Sequence, residues 1–361
     1  MFCFTNPVMM NIHKLLIKVF FLIPVMIYGQ LPDTTRPSSV DNVQSIKLYN
    51  QSLGLYNDQK FLEAITMLNK AIALNPKFSK AYFNRGCCKI QSFNTDEAIA
   101  DFSQLILIDP EANGYLGRGY AYLMKKEYQK SIEDLSVAAI NSPDNAYVYY
   151  YRGCAFAQLQ KFNQAVNDFD KAIGLKPDFA YAYNDRGSIH LQVKEYAAAK
   201  KDFDKAVTFN PALALAYNNL GEIAEIEGDH ESALENFTAA LRIQPEYYAA
   251  YNNRGKTRHN TEDFSGAIED FSKSILINPT YSAAYNNRGN SKYMTGDLNG
   301  AITDFSKAIE LDPKYGDAWL NRGVVKEMIR DTKGACQDWA KASELGIAIA
   351  DNYVKNQCLK D

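Results

Sequence analysis

The stretch AYNNRG occupies residues 250–255 and stands again, letter for letter, at residues 284–289, an interval of 34 residues. Its glycine recurs as Gly86, Gly119, Gly153, Gly187, Gly221, Gly255, Gly289 and Gly323, in one step of 33 residues and six of 34. Proline keeps the same beat at Pro76, Pro110, Pro143, Pro177, Pro211, Pro245, Pro279 and Pro313. A third series lies between them: Phe102, Leu135, Phe169, Phe203, Phe237, Phe271, Phe305 and Trp339. Periodicity this strict marks a repeat array.

Each unit reads as two helices. The second is amphipathic: in EAIADFSQLILIDP (97–110), Ala98, Ile99, Phe102, Leu105 and Ile106 share one face. It stops at proline, which disfavours helix in the residue before it. A hairpin of this kind cannot bury its apolar faces alone and must stack on its neighbours. The period, with an aromatic, then Gly, Ala, Phe, Ala and Pro at fixed offsets, resembles the tetratricopeptide repeat. With the glycine at position eight, nine repeats begin at residues 45, 79, 112, 146, 180, 214, 248, 282 and 316. The resemblance implies an all-α, right-handed superhelical solenoid over residues 45–349, with residues 350–361 as a C-terminal capping helix. The first and ninth repeats are atypical, with Ser52 for the glycine and Ile347 for the proline, as terminal units of arrays are.

Position seven is leucine in most of the family. Here it is Arg85, Arg118, Arg152, Arg186, Arg254, Arg288 and Arg322. Position twenty-three is Asp101, Asp134, Asp168, Asp202, Asp270, Asp304 and Asp338 in those same seven repeats. Where the arginine gives way to Leu220 the acid becomes Asn236, and in the first repeat the pair is Gln51 and Met67. Joint replacement within one repeat predicts an ion pair between the two helices of each hairpin, as in Arg254–Asp270 and Arg288–Asp304. The tyrosines at position four read as core packing.

At about 100° per residue, positions two, six, nine and thirteen of the first helix fall opposite the packed face, which predicts that they face outward. In the family that side lines the concave groove. Position six is Asn50, Asn84, Asn219, Asn253, Asn287 and Asn321, with Asp185 in the fifth repeat and Gly117 and Tyr151 in the third and fourth. Position five adds Asn184, Asn218, Asn252 and Asn286. Asparagine is a poor helix former, so its recurrence demands a reason. Its donor and acceptor suit the backbone of an extended peptide, and the pattern is similar to the asparagine ladder in the repeat domain of the O-linked N-acetylglucosamine transferase. The other reading is that these side chains bond neighbouring first helices and tie the stack together. The carboxylate clamp of the family, with lysine at position five, is missing. Tyr120, Tyr147, Tyr150, Tyr151 and Met124 predict an aromatic wall toward the N-terminal half of the groove, with a wetter half at Glu222, Glu225 and Lys256.

Residues 1–30 differ from the rest. A start bearing Lys14 and Lys18, an apolar run from Val19 to Tyr28, then Gly29 and Gln30 have the shape of a signal peptide. The run falls short of the roughly 20 residues a spanning helix needs, so the mature chain is expected to lack a membrane span and to be periplasmic or secreted. The pair Met9–Met10 offers an alternative start. Residues 31–44, with Pro32, Pro37, Ser38 and Ser39, read as a flexible lead-in. Export permits disulfides. Five cysteines follow the leader, Cys87, Cys88, Cys154, Cys336 and Cys358, and an odd number leaves at least one unpaired within the chain. Cys336 and Cys358, in the last two expected helices, are the candidate pair.

The formal charge is −3, and it becomes −5 without the two lysines of the leader. An acidic body argues against nucleic acid as partner. His13, His190, His230 and His259 are scattered, no nucleophile, phosphate-loop or metal motif is present, and no catalytic domain fits beside nine repeats. The expectation is a non-enzymatic scaffold without cofactor or metal that binds an extended segment of another protein in its concave groove, in a bacterial envelope assembly or secretion role. The alternatives are a structural spacer with no groove ligand and a substrate-recruiting subunit of an enzyme complex.

Overall fold

The computed structural model describes residues 40–110 and 113–358, and the leader and most of the lead-in lie outside them. Nineteen α-helices follow one another among the described residues, with no strand. The first helices of the nine hairpins are α1 (Val40–Asn57), α3 (Ser79–Gln91), α5 (Gly114–Met124), α7 (Ala146–Gln158), α9 (Ala180–Gln192), α11 (Ala214–Glu227), α13 (Tyr248–Asn260), α15 (Ser282–Met294) and α17 (Gly316–Met328). Their second helices are α2 (Phe61–Leu74), α4 (Thr95–Ile108), α6 (Tyr128–Asn141), α8 (Phe162–Leu175), α10 (Tyr196–Phe209), α12 (His230–Ile243), α14 (Phe264–Ile277), α16 (Leu298–Leu311) and α18 (Thr332–Glu344). No described helix is long and apolar enough to cross a membrane.

The described residues divide into two compact units, an N-terminal one ending at Ile189 and a C-terminal one beginning at His190, so that the boundary falls within α9. Consecutive helices pack on one another from α1 to α8 in the first unit and from α10 to α19 in the second, and first helices also touch the next first helix, as α5 does α7 and α13 does α15. The position-24 side chains are all fully buried: Leu68, Phe102, Leu135 and Phe169 in one unit, Phe203, Phe237, Phe271, Phe305 and Trp339 in the other. Glycine at position eight makes room for them. A Cβ on Gly255 would stand 2.8 Å from the Phe271 ring, closer than any carbon contact allows.

The tip of each hairpin is a left-handed residue. Gln59, Phe93, Lys126, Gln160, Lys194, Glu262 and Arg330 have φ of 58–66° and Gly228 and Gly296 have φ of 79° and 84°, so position fifteen is left-handed in all nine repeats. The following amide then reaches back to close the first helix, as in Asp263 N donating to Arg258 O at 2.8 Å, the hydrogen bond of a Schellman cap. In the C-terminal unit the next residue also starts the second helix: Asp229, Asp263, Asp297 and Asp331 accept from the backbone of Ser232, Gly266, Gly300 and Gly334.

The arginines form two-pronged bridges. Arg254 Nε and Nη2 donate to Asp270 at 2.9 and 2.7 Å, and Arg288 repeats this on Asp304 at 2.9 and 2.7 Å. Arg85–Asp101, Arg118–Asp134, Arg152–Asp168 and Arg322–Asp338 have the same geometry. Each arginine does more than the sequence suggests. Its Nη1 reaches back to position twenty-five of the preceding repeat: Asn69, Ser103, Ser136, Thr238, Ser272 and Ser306 accept from Arg85, Arg118, Arg152, Arg254, Arg288 and Arg322. The guanidinium also lies over the position-four aromatic of its own repeat, as Arg254 does over Tyr251 at 5.6 Å. A second cation at position eleven often joins the acid: Lys89 on Asp101, Arg258 on Asp270, Lys292 on Asp304 and Lys326 on Asp338.

The array closes at its C-terminal end. A short α19 (Ala348–Tyr353) runs into a π-helical turn, Val354–Cys358, and Tyr353 stacks on Trp339 at 4.7 Å. Cys336 and Cys358 are disulfide-bonded, with Cα atoms 5.7 Å apart.

The second cation separates two bridges by experiment. Arg152→Leu leaves Asp168 buried with Phe156 at position eleven and no cation, at a cost of about 3 kcal/mol. Arg254→Leu leaves Asp270 still paired with Arg258. Urea unfolding of the two variants is expected to show clearly the larger loss for Arg152→Leu, and equal losses would refute the role of position eleven.

Candidate interaction surface

The expectation that position six faces outward is corrected by the packing of the first helices. Asn84, Asn219, Asn253, Asn287 and Asn321 are at most 9% exposed, and Asn218, Asn252 and Asn286 at most 3%; only Asn50 of the set is half-buried. Neighbouring first helices lie side by side, and that brings position six of one repeat onto position five of the repeat before. The two carboxamides are 35 residues apart in sequence and bond across the seam: Asn253 Nδ2 to Asn218 Oδ1 at 3.1 Å, Asn287 Nδ2 to Asn252 Oδ1 at 3.0 Å, Asn321 Nδ2 to Asn286 Oδ1 at 3.1 Å.

These rungs join end to end. Asn286 Nδ2 donates to Asn287 Oδ1 at 3.4 Å, so Asn321, Asn286, Asn287 and Asn252 form one relay through α17, α15 and α13. Its two ends, Asn252 Nδ2 and Asn321 Oδ1, have no partner among the described residues, nor has the carboxamide of buried Asn290. A shorter relay begins at Asn253, passes through Asn218 and ends on Glu222, which accepts from Asn218 at 3.0 Å and from Asn253 at 2.9 Å.

The same rung in the N-terminal unit has other chemistry. Position five of the fourth repeat is Tyr150, and its hydroxyl donates to Asp185 Oδ2 at 2.8 Å. A phenol is the donor here, so the partner must accept, and a carboxylate replaces the amide. Asn184 Nδ2 donates to Asp185 Oδ1 at 3.0 Å, and the Cys154 thiol lies 3.9 Å from Oδ2. Burial pushes the Asp185 carboxyl up to about 6, against the three donors that hold it down. Tyr150 and Tyr151 are buried and only Tyr147 keeps half-exposed surface. The aromatic wall is thus mainly interior: Tyr151 packs on Tyr120 at 4.7 Å, and Phe179 on Tyr150 at 4.7 Å and Tyr147 at 5.0 Å. Cys87 and Cys154, which stand at position nine of their repeats, are buried too, with thiols pushed well up by burial.

Position nine carries the half-exposed charge. Glu222 on α11 and Lys256 on α13 are half-buried and stand 34 residues apart on neighbouring first helices. Burial raises the Glu222 carboxyl, opposed by Asn218, Lys256 and Asn253. Burial lowers the Lys256 ammonium, opposed by Glu222 and Glu225. Glu225 in turn receives Asn260 Nδ2 at 3.2 Å and lies 2.6 Å from His230 Nδ1. His259, at 2.8 Å from the Ser291 hydroxyl, is pushed by burial down to about 4 and is neutral at pH 7. No group of three or more His, Cys, Asp or Glu among the described residues is placed to hold a metal ion.

Families described as tetratricopeptide repeat match residues 91–146, 146–179, 180–213, 214–247 and 248–281, and one described as TPR repeat matches 289–328. The chain is a tetratricopeptide-repeat protein. Over 92 residues the array is 33% identical to the Hsp70-Hsp90 organizing protein of Triticum aestivum, an alignment covering 25% of this chain and 16% of that protein. Among solved structures, the APC/C hetero-tetramer Cut9–Hcn1 shares the fold with a TM-score of 0.60 at 14% identity, over 91% of this chain and 79% of that one. Pseudomonas aeruginosa pilF does so with a TM-score of 0.52 at 17% identity, over 57% and 95%.

The sequence names the rung residues and offers bonding between neighbouring first helices as the alternative reading, but does not say which residue pairs with which. A comparison of position five in one repeat with position six in the next, rather than of like positions, would have found the pairs: Tyr150 with Asp185, and Asn218, Asn252 and Asn286 with Asn253, Asn287 and Asn321.

Asp185 makes stability depend on pH. Its folded value of about 6 lies above the unfolded carboxylate value of about 3.9. Between these the folded protein holds a proton the unfolded chain has lost, so this group's contribution falls as pH rises from about 4 to about 6, by about 3 kcal/mol, and is flat above. The stability difference between wild type and Asp185→Asn, measured by urea unfolding across pH 4–8, is expected to trace that fall. A pH-independent difference would refute it.

Proposed function

We propose that this protein is a non-enzymatic scaffold that holds an extended segment of another protein across the face of its first helices. The observation that carries the reading is the Glu222–Lys256 pair. Both are half-buried on adjacent first helices, and burial works against the charged form of each. Neither belongs to the arginine–aspartate bridges that join the hairpins. Charged groups held partly out of water in this way concentrate at functional sites. The asparagines serve this face from beneath, by fixing the spacing of the helices that carry the charges.

A periplasmic or secreted location, and with it an envelope assembly or secretion role, is supported by the leader pattern and by the Cys336–Cys358 disulfide, since such bonds persist in oxidising compartments. The second reading, a structural spacer, is favoured by the mutual bonding of the asparagines.

Two variants separate these readings. Glu222→Gln with Lys256→Met is expected to lose the partner captured by wild type from an envelope fraction while the melting temperature holds or rises. Asn286→Leu, which cuts the relay in the middle, is expected to lower stability by about 1–3 kcal/mol and to retain the partner while folded. A double variant that captures the same partner as wild type would leave the spacer reading standing.

A further inference from the structure

Asp185 differs from every bridged acid of the array. Asp101, Asp134, Asp168, Asp270, Asp304 and Asp338 are buried carboxylates, each gripped by an arginine. Asp185 is equally buried, at 5% exposure, yet the groups that meet it are Tyr150, Asn184 and Cys154, all neutral donors. The nearest arginines in sequence turn elsewhere, Arg186 to Asp170 and Arg152 to Asp168. Its hydrogen bonds are satisfied, and no cation among the described residues pairs with it. An ionised carboxylate in low dielectric calls for a counter-ion, and three donors with no acceptor favour the ionised form.

The surroundings suit one class of counter-ion. Tyr181, one helical turn before Asp185 on α9, is half-buried and feels the carboxylate, which with burial raises its phenol. Tyr147, one turn before Tyr151 on α7, is half-buried against Phe179. Tyr150, on α7 with Tyr147, is bonded to the carboxylate. Aromatic faces around a buried acid attract cations whose charge sits on an organic group, through ring quadrupole and Coulomb attraction together. A hydrated metal ion, by contrast, would want several oxygen ligands, and Asp185 is the one carboxylate here.

We propose that Asp185, with Tyr150 and Tyr181 beside it and Tyr147 one turn along α7, is a binding site for a cationic side chain, lysine or arginine, of the segment that the array holds. The ammonium or guanidinium passes between Tyr147 and Tyr181 and pairs with the carboxylate, with its aliphatic stem along the rings. The site lies wholly on α7 and α9 of the N-terminal unit. It rests on the scaffold reading for its macromolecular source, and the cation chemistry stands on its own.

Two measurements on the full chain keep these apart. In the first, Nα-acetyl-lysine methylamide and its arginine counterpart are titrated by NMR, with the norleucine compound as neutral control. The tyrosine ring signals are expected to shift with the cations and not with norleucine, and Asp185→Asn is expected to weaken the response about tenfold or more. In the second, an array of extended dodecapeptides compares lysine or arginine with norleucine at each place. Wild type is expected to prefer the cation at one register, and Asp185→Asn to lose that preference while Tyr147→Ala weakens it, both variants keeping the wild-type far-ultraviolet spectrum. Cation binding by the small probes without any peptide binding upholds the site and sinks the scaffold reading. Peptide binding indifferent to lysine and to Asp185→Asn does the reverse, and silence in both overturns both.

Discussion

The fork of the position-seven arginine organises this molecule. One guanidinium takes the aspartate of its own hairpin with two nitrogens and a hydroxyl or amide of the preceding second helix with the third. It therefore fixes the angle within a repeat and the join between repeats at once. Delocalised charge and five donors in a rigid plane make arginine suited to this, and lysine could not replace it. Buried apolar rings at position 24 supply bulk attraction, which has no direction. The fork supplies direction, and successive hairpins in each unit consequently stack with the same register.

Between neighbouring first helices the asparagines do what the arginines do at the join to the second helices. Both sets couple adjacent repeats through charged or amide groups that must be satisfied once buried. The consequence for function is a division of labour. Residues that look suited to a ligand in isolation, the position-six carboxamides, are interior ties, and the ligand-facing role we propose falls instead on position nine and on Asp185, where a rung has changed composition.

The repeat period, the two-helix unit and the arginine–aspartate pairing were legible in the sequence, because each leaves a residue of one kind at a fixed place. The direction of the asparagines was not. Rotation by 100° per residue describes one helix alone, and the neighbour that covers position six belongs to the next repeat. Position twenty-five escaped notice because its identity drifts from Asn69 to Ser103 to Thr238 while its one requirement, an acceptor atom, stays the same. The left-handed tips escaped for the opposite reason, since seven of nine lack the glycine that usually announces such a turn. The covalent link at the C-terminal end lay in residues whose contact spacing alone does not decide.

That link has a mechanical meaning. In an array where each hairpin leans on its neighbours, disorder enters from the ends. The last hairpin is stitched to its own cover through Cys336 and Cys358, whereas the first has Gln51 and Met67 in place of an arginine fork. Loss of order is therefore polarised: it starts at α1 and travels toward the carboxyl terminus, like a zip with one end sewn shut.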